Sequence, residues 1–466
     1  MSVQVVNEQG PSRALQIDAL KMCPPVGAMY AALGIHGCLP MSHGASGCCR
    51  FQRMELAKHF QRIVHVSSSL LKERSAIFGG EANLTEAVAN AFAAYDPDII
   101  AIHTTCMSET IGDDLRGIVG NLEIPAGRSV VAASTPGYAG SQLTGYAAMV
   151  SAFVEQLAQG DAPAWDGLAL LPGWLNPSDI EELVRLAHGF FGEVAVLPDP
   201  RGVMDRAPSR DERVYLPGGT PLADIARIAS SRALIALGEE AAWPAIDVLD
   251  GIVDKRGSSG ARAAASASMK LSLPIGIEAT DRYLEALAAT SGVPVPAAFA
   301  CERAACVEKV MELHPRLYGK KVALLADADM TLPLAEFFAG IGMQPVYLAV
   351  GWADADFAAR AVDMLERFDI EGVVNPHADR FDVEEYLEAH PVDLLVGGTR
   401  AKLLARRFEI PLVRVGFPVV DRPLSFLDPV VGYRGALCLM REVLRGLAER
   451  AEEGLPPEGL SIAETF

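Results

Sequence analysis

Short apolar runs alternate with amphipathic stretches along most of the chain. Runs rich in Val, Ile, Leu and Ala stand at 99–102, 129–133, 233–237, 322–326, 346–350, 372–374, 394–396 and 412–415. They are continuous, not alternating, which is the pattern of strands buried on both faces. The stretches 84–95, 179–191 and 353–368 read as helices between them. The alternation predicts βαβ units: an α/β fold with parallel sheets.

Punctuation divides the chain. Around 160–172 the sequence breaks, and LLPGWLNPSD leads into a helix for which Ser178 reads as N-cap with Glu181 three residues on. A second break falls near 314–321. Domains are therefore expected at 1–165, 166–310 and 311–466. The stretch 199–219 has no periodicity and reads as an exposed excursion. The tail ERAEEGLPPEGLSIAETF, acidic and with paired prolines, reads as a solvated extension.

Composition narrows the classes. A length of 466 residues suits about three domains of roughly 150 residues. Forty Lys and Arg against 59 Asp and Glu give a net charge of −19, which repels nucleic acid and anionic membranes alike. No apolar run approaches the ~20 residues of a membrane span. The opening MSVQVVNEQGPSR has no basic region followed by an apolar stretch, so no secretory signal is expected. Eight cysteines are too few for a disulfide scaffold, and a cytoplasmic location is expected.

The chemistry concentrates in CPPVGAMYAALGIHGCLPMSHGASGCCRFQR, where glycines at 27, 34, 37, 44 and 47 permit close backbone approach. Cys106 stands in DPDIIAIHTTCMSETIGDD, at the carboxyl end of an expected parallel strand, where open α/β folds bind ligands. Cys23 and Cys48 fall in expected Gly-rich loops, whose N–H groups could donate to cluster sulfides. No CxxC run is present, which disfavours a zinc ribbon or an ordinary ferredoxin cluster; distant loops must bring any ligands together. Cys38, Cys301, Cys306 and Cys438 read as buried thiols acting as small apolar groups, and Cys49 is ambiguous beside a candidate ligand. His43 and His103 flank candidate cysteines and read either as site residues or as hydrogen-bonded structural histidines. Phe78 in AIFGG reads either as core or as an exposed anchor. There is neither a G-x-S-x-G elbow nor a P-loop, so nucleotide hydrolysis by this chain is not expected.

Several segments carry a family resemblance over nearly the whole length and in family order. They are CPPVGAMYAALGIHGCLPMSHGASGCC, FGG at 78–80, DIIAIHTTCMSETIGDDL, STPGYAGSQLTG, LPGWLNPSD, GIEATDRYLEAL and IPLVRVGFPVVDRP. The chain resembles the β subunit of the catalytic component of nitrogenase and its nitrogenase-like relatives. The resemblance implies three Rossmann-like α/β/α domains and an oxidoreductase subunit. It implies that Cys23, Cys48 and Cys106 hold half of an [8Fe-7S] P-cluster, with Ser141 ligating the oxidised cluster. It further implies a homologous α subunit, in an α2β2 heterotetramer, that supplies the other half and carries the substrate-reducing iron–sulfur cofactor. Phe78 falls on the docking surface for an ATP-driven iron protein.

Three departures stand out. Arg62, in HFQRI, takes the place of an acid that helps bind a subunit-bridging divalent metal. SSSLLKERSAIFGG gains Lys72 and Arg74 near the implied docking face, which suggests a dedicated reductase. The long amino-terminal extension of many molybdenum nitrogenase β subunits is also missing. Together they favour a likeness to methylthio-alkane reductases, which cleave C–S bonds of small thioethers, with a dinitrogen-reducing β subunit as the alternative. A cofactor-assembly scaffold chain usually has Gly where Cys106 stands. The chlorophyll-pathway reductases use a single [4Fe-4S] cluster, and the three-Cys set argues against them.

Overall fold

Each apolar run forms a strand, and every strand pairing is parallel. The structure is a computed structural model that describes residues 3–8, 10–11, 16–18, 20–159, 162–206, 218–255 and 267–453. The chain divides into two compact units. One comprises Met22–Ser272 with Tyr283–Val295; the other comprises Met1–Lys21, Leu273–Arg282 and Pro296–Phe466.

The first unit holds two four-stranded sheets. One has the order Ser67–Ser68, Cys38–His43, Ile99–Thr104, Ser129–Ala133; the other runs Val194–Val196, Trp165–Leu171, Ser231–Leu237, Ala267–Leu271. The second unit holds a six-stranded sheet: Gln4–Val5, Val373–Asn375, Gln344–Ala349, Lys321–Leu325, Leu394–Gly397, Leu412–Arg414. This is the open parallel α/β architecture expected. Among the described residues no helix is long and apolar enough to cross a membrane.

The sheet carrying the cysteines is closed on one face by the helix Glu81–Tyr95. Its Leu84, Val88 and Phe92 pack with Leu39, Met41, Ile100 and Ile102 in one buried cluster. Each such side chain contributes roughly 1.5–3 kcal/mol by leaving water. Two other helices, Pro24–Leu33 and Gln142–Leu157, meet backbone to backbone. A Cβ on Gly27 would lie 1.7 Å from the Gln142 carbonyl oxygen, and one on Gly145 would lie 1.8 Å from that of Pro24. Only glycine permits this approach.

Several local expectations are corrected. The Gly-rich stretch is not loop: it folds as Pro24–Leu33, the fully buried strand Cys38–His43, and the helix Ser46–Phe60. The helix expected to be capped by Ser178 starts earlier. Asn176 is its N-cap, Asp179 closes the capping box, and Pro177 takes the first helical position, where its missing N–H costs nothing. The expected break at 314–321 is narrower, because the helix Ala297–Leu317 runs through Pro315. Of the expected excursion, residues 199–206 pack partly inside, with Met204 buried and Arg201 paired to Asp199; 207–217 lie outside the described residues, as does the tail from 454.

Gly27→Ala or Gly145→Ala is expected to destabilise the first unit by about 1–3 kcal/mol, the cost of overpacking a close contact. Gly251→Ala, in the helix Trp243–Lys255 with nothing within 4 Å, should instead gain up to ~1 kcal/mol. Denaturant midpoints of the three variants would settle it: equal shifts mean that the backbone crossing is not tight.

Candidate functional site

The strands Cys38–His43, Ile99–Thr104 and Ser129–Ala133 are neighbours and parallel, so their carboxyl ends share one edge of the sheet. A chain leaving each strand there enters a helix. Cys48 lies in the first turn of Ser46–Phe60, Cys106 is the first residue of Cys106–Ile111, and Ser141 is the N-cap of Gln142–Leu157. Cys23 is the N-cap of Pro24–Leu33, the helix crossed by Gln142–Leu157, and the Met22 N–H donates to Gln142 Oε1 at 2.8 Å. Cys48, Cys106 and Ser141 thus follow neighbouring strands at one sheet edge, and the crossing of Pro24–Leu33 with Gln142–Leu157 adds Cys23.

Gly137 marks the convergence. A Cβ there would lie 2.5 Å from Cys106 Sγ and 3.9 Å from Cys23 Cβ, so the two cysteines flank a residue that has no side chain. Cys48 stands at the same sheet edge, in the first turn of the helix that follows the neighbouring strand Cys38–His43. Burial pushes the Cys23 thiol up to about 11. The Val26 N–H opposes that rise, and Cys106 and Cys48 add to it. Burial, then Cys106, raises Cys48 as well. Cys106 is exposed, and Cys23 and Cys48 are half-buried. The Ser141 hydroxyl is buried and caps its helix, accepting from the Leu143 N–H at 3.2 Å and from the Thr144 N–H in a capping box.

The donor set has a definite chemistry. Three thiols lie at helix starts, where partial positive charge favours the thiolate. Among the described residues no three His, Cys, Asp or Glu converge tightly enough to enclose a single ion. Thiols at helix starts, beside a wall without a side chain at Gly137, fit the sulfur ligation of an iron–sulfur cluster.

The remaining candidates separate cleanly. His43 and His103 are wholly buried structural residues. His43 bonds Ser69 Oγ at 2.9 Å and Asp113 Oδ2 at 3.0 Å; His103 Nε2 lies 2.7 Å from Ser42 Oγ. Cys38, Cys49 and Cys306 are buried, and the Cys49 thiol donates to the Ser67 carbonyl at 3.7 Å. Cys301 is exposed, not buried as expected, because five residues along the helix Ala297–Leu317 turn it well away from Cys306. Phe78 is 78 % exposed beside Ile77 at 76 %, with the Arg74 guanidinium 6.0 Å from its ring, so it is not a core residue. Asp113 and Gly137 escaped sequence reasoning. The G-D-D that follows the Cys106 helix and the lone Gly after T-P were the available signals.

Comparisons with known proteins identify the family and the fold. The family model for nitrogenase component 1 type oxidoreductases matches residues 23–448. The chain is 37% identical to the nitrogenase molybdenum-iron protein beta chain of Clostridium pasteurianum, over 97% of each. It is 33% identical to the nitrogenase vanadium-iron protein beta chain of Trichormus variabilis, over 91% of this chain and 92% of that one. Among solved structures, a chain of nitrogenase Cp1 at pH 6.5 superposes with a TM-score of 0.91 at 36% identity, covering 97% of both.

Burial holds the His103 imidazole down to about 3, against an ordinary 6.5, so the folded chain keeps it neutral. A lowered folded-state value contributes stability that is complete above the unfolded value and is lost as pH falls from 6.5 toward 3. Wild-type protein is expected to lose up to about 1.4 kcal/mol per pH unit from this residue below 6.5, and His103→Gln to lack that part of the slope. Urea midpoints at pH 7.5 and 5.5 measure it; parallel slopes would contradict the assignment.

Proposed function

The chain belongs to the nitrogenase component 1 type oxidoreductases and to their β-subunit family, and we propose that it is the electron-relay half of a two-component reductase. In this reading Cys23, Cys48 and Cys106 hold half of an [8Fe-7S] P-cluster, and Ser141 offers a hard oxygen to the oxidised cluster. A homologous α subunit supplies the other half and bears the substrate-reducing iron–sulfur cofactor, in an α2β2 heterotetramer. The observation that supports it is the approach of Cys106 and Cys23 on either side of Gly137, at the sheet edge where the helix bearing Cys48 also starts. Half a ligand set, with Cys106 exposed in the single chain, is what a cluster shared with a second subunit requires.

When bound, such a cluster stores and passes electrons between a reductase and the cofactor. This chain's own residues do the holding. Helix starts favour thiolates, and the Gly27–Gly145 crossing fixes Cys23 against the segment of Ser141. Phe78 and Ile77, exposed together and flanked by Arg74, form an apolar anchor with a cationic border that suits transient docking of an ATP-driven iron protein.

For the substrate, likeness to molybdenum-iron and vanadium-iron nitrogenase beta chains favours dinitrogen. A second reading, C–S cleavage in methylthio-alkanes, draws on Arg62, Lys72 and Arg74. Product analysis of the purified complex with each substrate distinguishes them: ammonia from dinitrogen supports the first, and thiol from a methylthio-alkane without ammonia supports the second.

Cys48→Ala and Cys106→Ala should each lower iron content and abolish turnover together while the far-UV circular dichroism stays unchanged. Full iron and full turnover in either variant would falsify the ligand assignment. Phe78→Ala should raise the iron-protein concentration for half-maximal turnover about tenfold with iron content intact, as loss of an interface anchor does. An unaltered requirement removes Phe78 from the docking surface.

A further inference from the structure

One buried residue links the segments of Cys48, Cys106 and Phe78. His43 ends the strand Cys38–His43, and the helix bearing Cys48 begins three residues on. Its carbonyl oxygen accepts from Ser108 Oγ at 2.7 Å and from Thr105 Oγ1 at 3.3 Å, the two residues that cap the start of the Cys106 helix. Its imidazole is 3.0 Å from Asp113 Oδ2, while Asp113 Oδ1 accepts the Gly80 N–H at 2.9 Å, two residues from Phe78. The carboxylate takes the proton on Nε2, so Nδ1 accepts from Ser69 Oγ, which in turn accepts from the Gly44 N–H at 3.2 Å.

The F-G-G segment is shaped to sit on this pair. A Cβ at Gly80 would fall 2.4 Å from Asp113 Oδ2 and 2.8 Å from His43 Cε1, and Gly79 takes φ +87°. No side chain of Gly80 caps the helix Glu81–Tyr95, so the Asp113 carboxylate supplies the acceptor across the chain. The imidazole is fully buried and Asp113 nearly so, which makes loss of either partner expensive. A simple cap would need Asp113 alone; the second carboxylate oxygen ties the docking side to the strand end that launches Cys48.

We propose that His43 and Asp113 are positioning residues that lock the Phe78 segment to the loops bearing Cys48 and Cys106, so that docking and the thiol-bearing edge move as one body. This rests on the reading of Phe78 as a docking residue and of the cysteines as ligands.

The test uses the purified heteromeric complex carrying Asp113→Ala, His43→Phe, Phe78→Ala, or Asp113→Ala with Phe78→Ala. Hydrogen–deuterium exchange without reductase should rise about tenfold in Asp113→Ala over 79–84 and also over 44–48 and 105–108, as a cooperative local unit does. The reductase concentration for half-maximal turnover should rise about fivefold with iron content unchanged, and the double variant should match Phe78→Ala within about twofold. His43→Phe, which leaves the Asp113–Gly80 bond available, should reproduce both effects, and it carries the test if Asp113→Ala does not assemble. Faster exchange confined to 79–84, or an unchanged reductase requirement in His43→Phe while Phe78→Ala shifts it, overturns the coupling. If Phe78→Ala shifts nothing, the docking reading fails instead, and the exchange pattern alone decides whether the two segments are coupled.

Discussion

The candidate site depends on a contact between two backbones. Where Pro24–Leu33 crosses Gln142–Leu157, Gly27 and Gly145 leave no room for a methyl group. Cys23 and Ser141 stand immediately before those two helices, so the distance between them is set by peptide groups, not by adaptable side chains. Side-chain packing can relax by rotamer changes; a backbone contact relaxes only by moving a helix. The parallel sheet supplies the rest of the positioning. Its neighbouring strands end at one level, and Cys48 and Cys106 are delivered there by the helices that follow.

Much of the fold was legible because strands buried on both faces must be continuously apolar. Ile99–Thr104 and Ser231–Leu237 announce themselves this way. The strand Cys38–His43 does not. It is equally buried, yet CLPMSH carries Pro, Ser and His, whose polar atoms are satisfied by Gln52, Ser69, His103 and Asp113, partners far away in sequence. A hydrophobic pattern cannot foresee a polar residue whose burial is compensated from another element. The same holds for the Asn176 cap. Both Asn176 and Ser178 are competent capping residues, and the choice falls on the one that puts Pro177 at the first helical position.

The site was legible unevenly for the same reason. Cys106 was readable from its strand and the helix after it, a local pattern. That Cys23 and Cys48 join it was not readable from spacing, since convergence depends on which strands are neighbours; it came from resemblance. Asp113 and Gly137 carry no chemistry that marks them in one dimension. Gly137 acts by lacking a side chain beside Cys106 Sγ, and Asp113 acts by having two oxygens for two different partners.

Burial raises the Cys23 and Cys48 thiols and neighbouring thiols raise them further, while their places at helix starts favour the thiolate. A metal group bound at these sulfurs would favour the thiolate further, because its positive charge lowers a ligating thiol's affinity for the proton. Helix starts help, but each is worth only about 0.3–1 kcal/mol at exposed positions. A polynuclear iron group would bring several positive charges at once to thiols at three helix starts. Cys106 is exposed in the single chain, so its sulfur is open to a bound group and to a neighbouring chain.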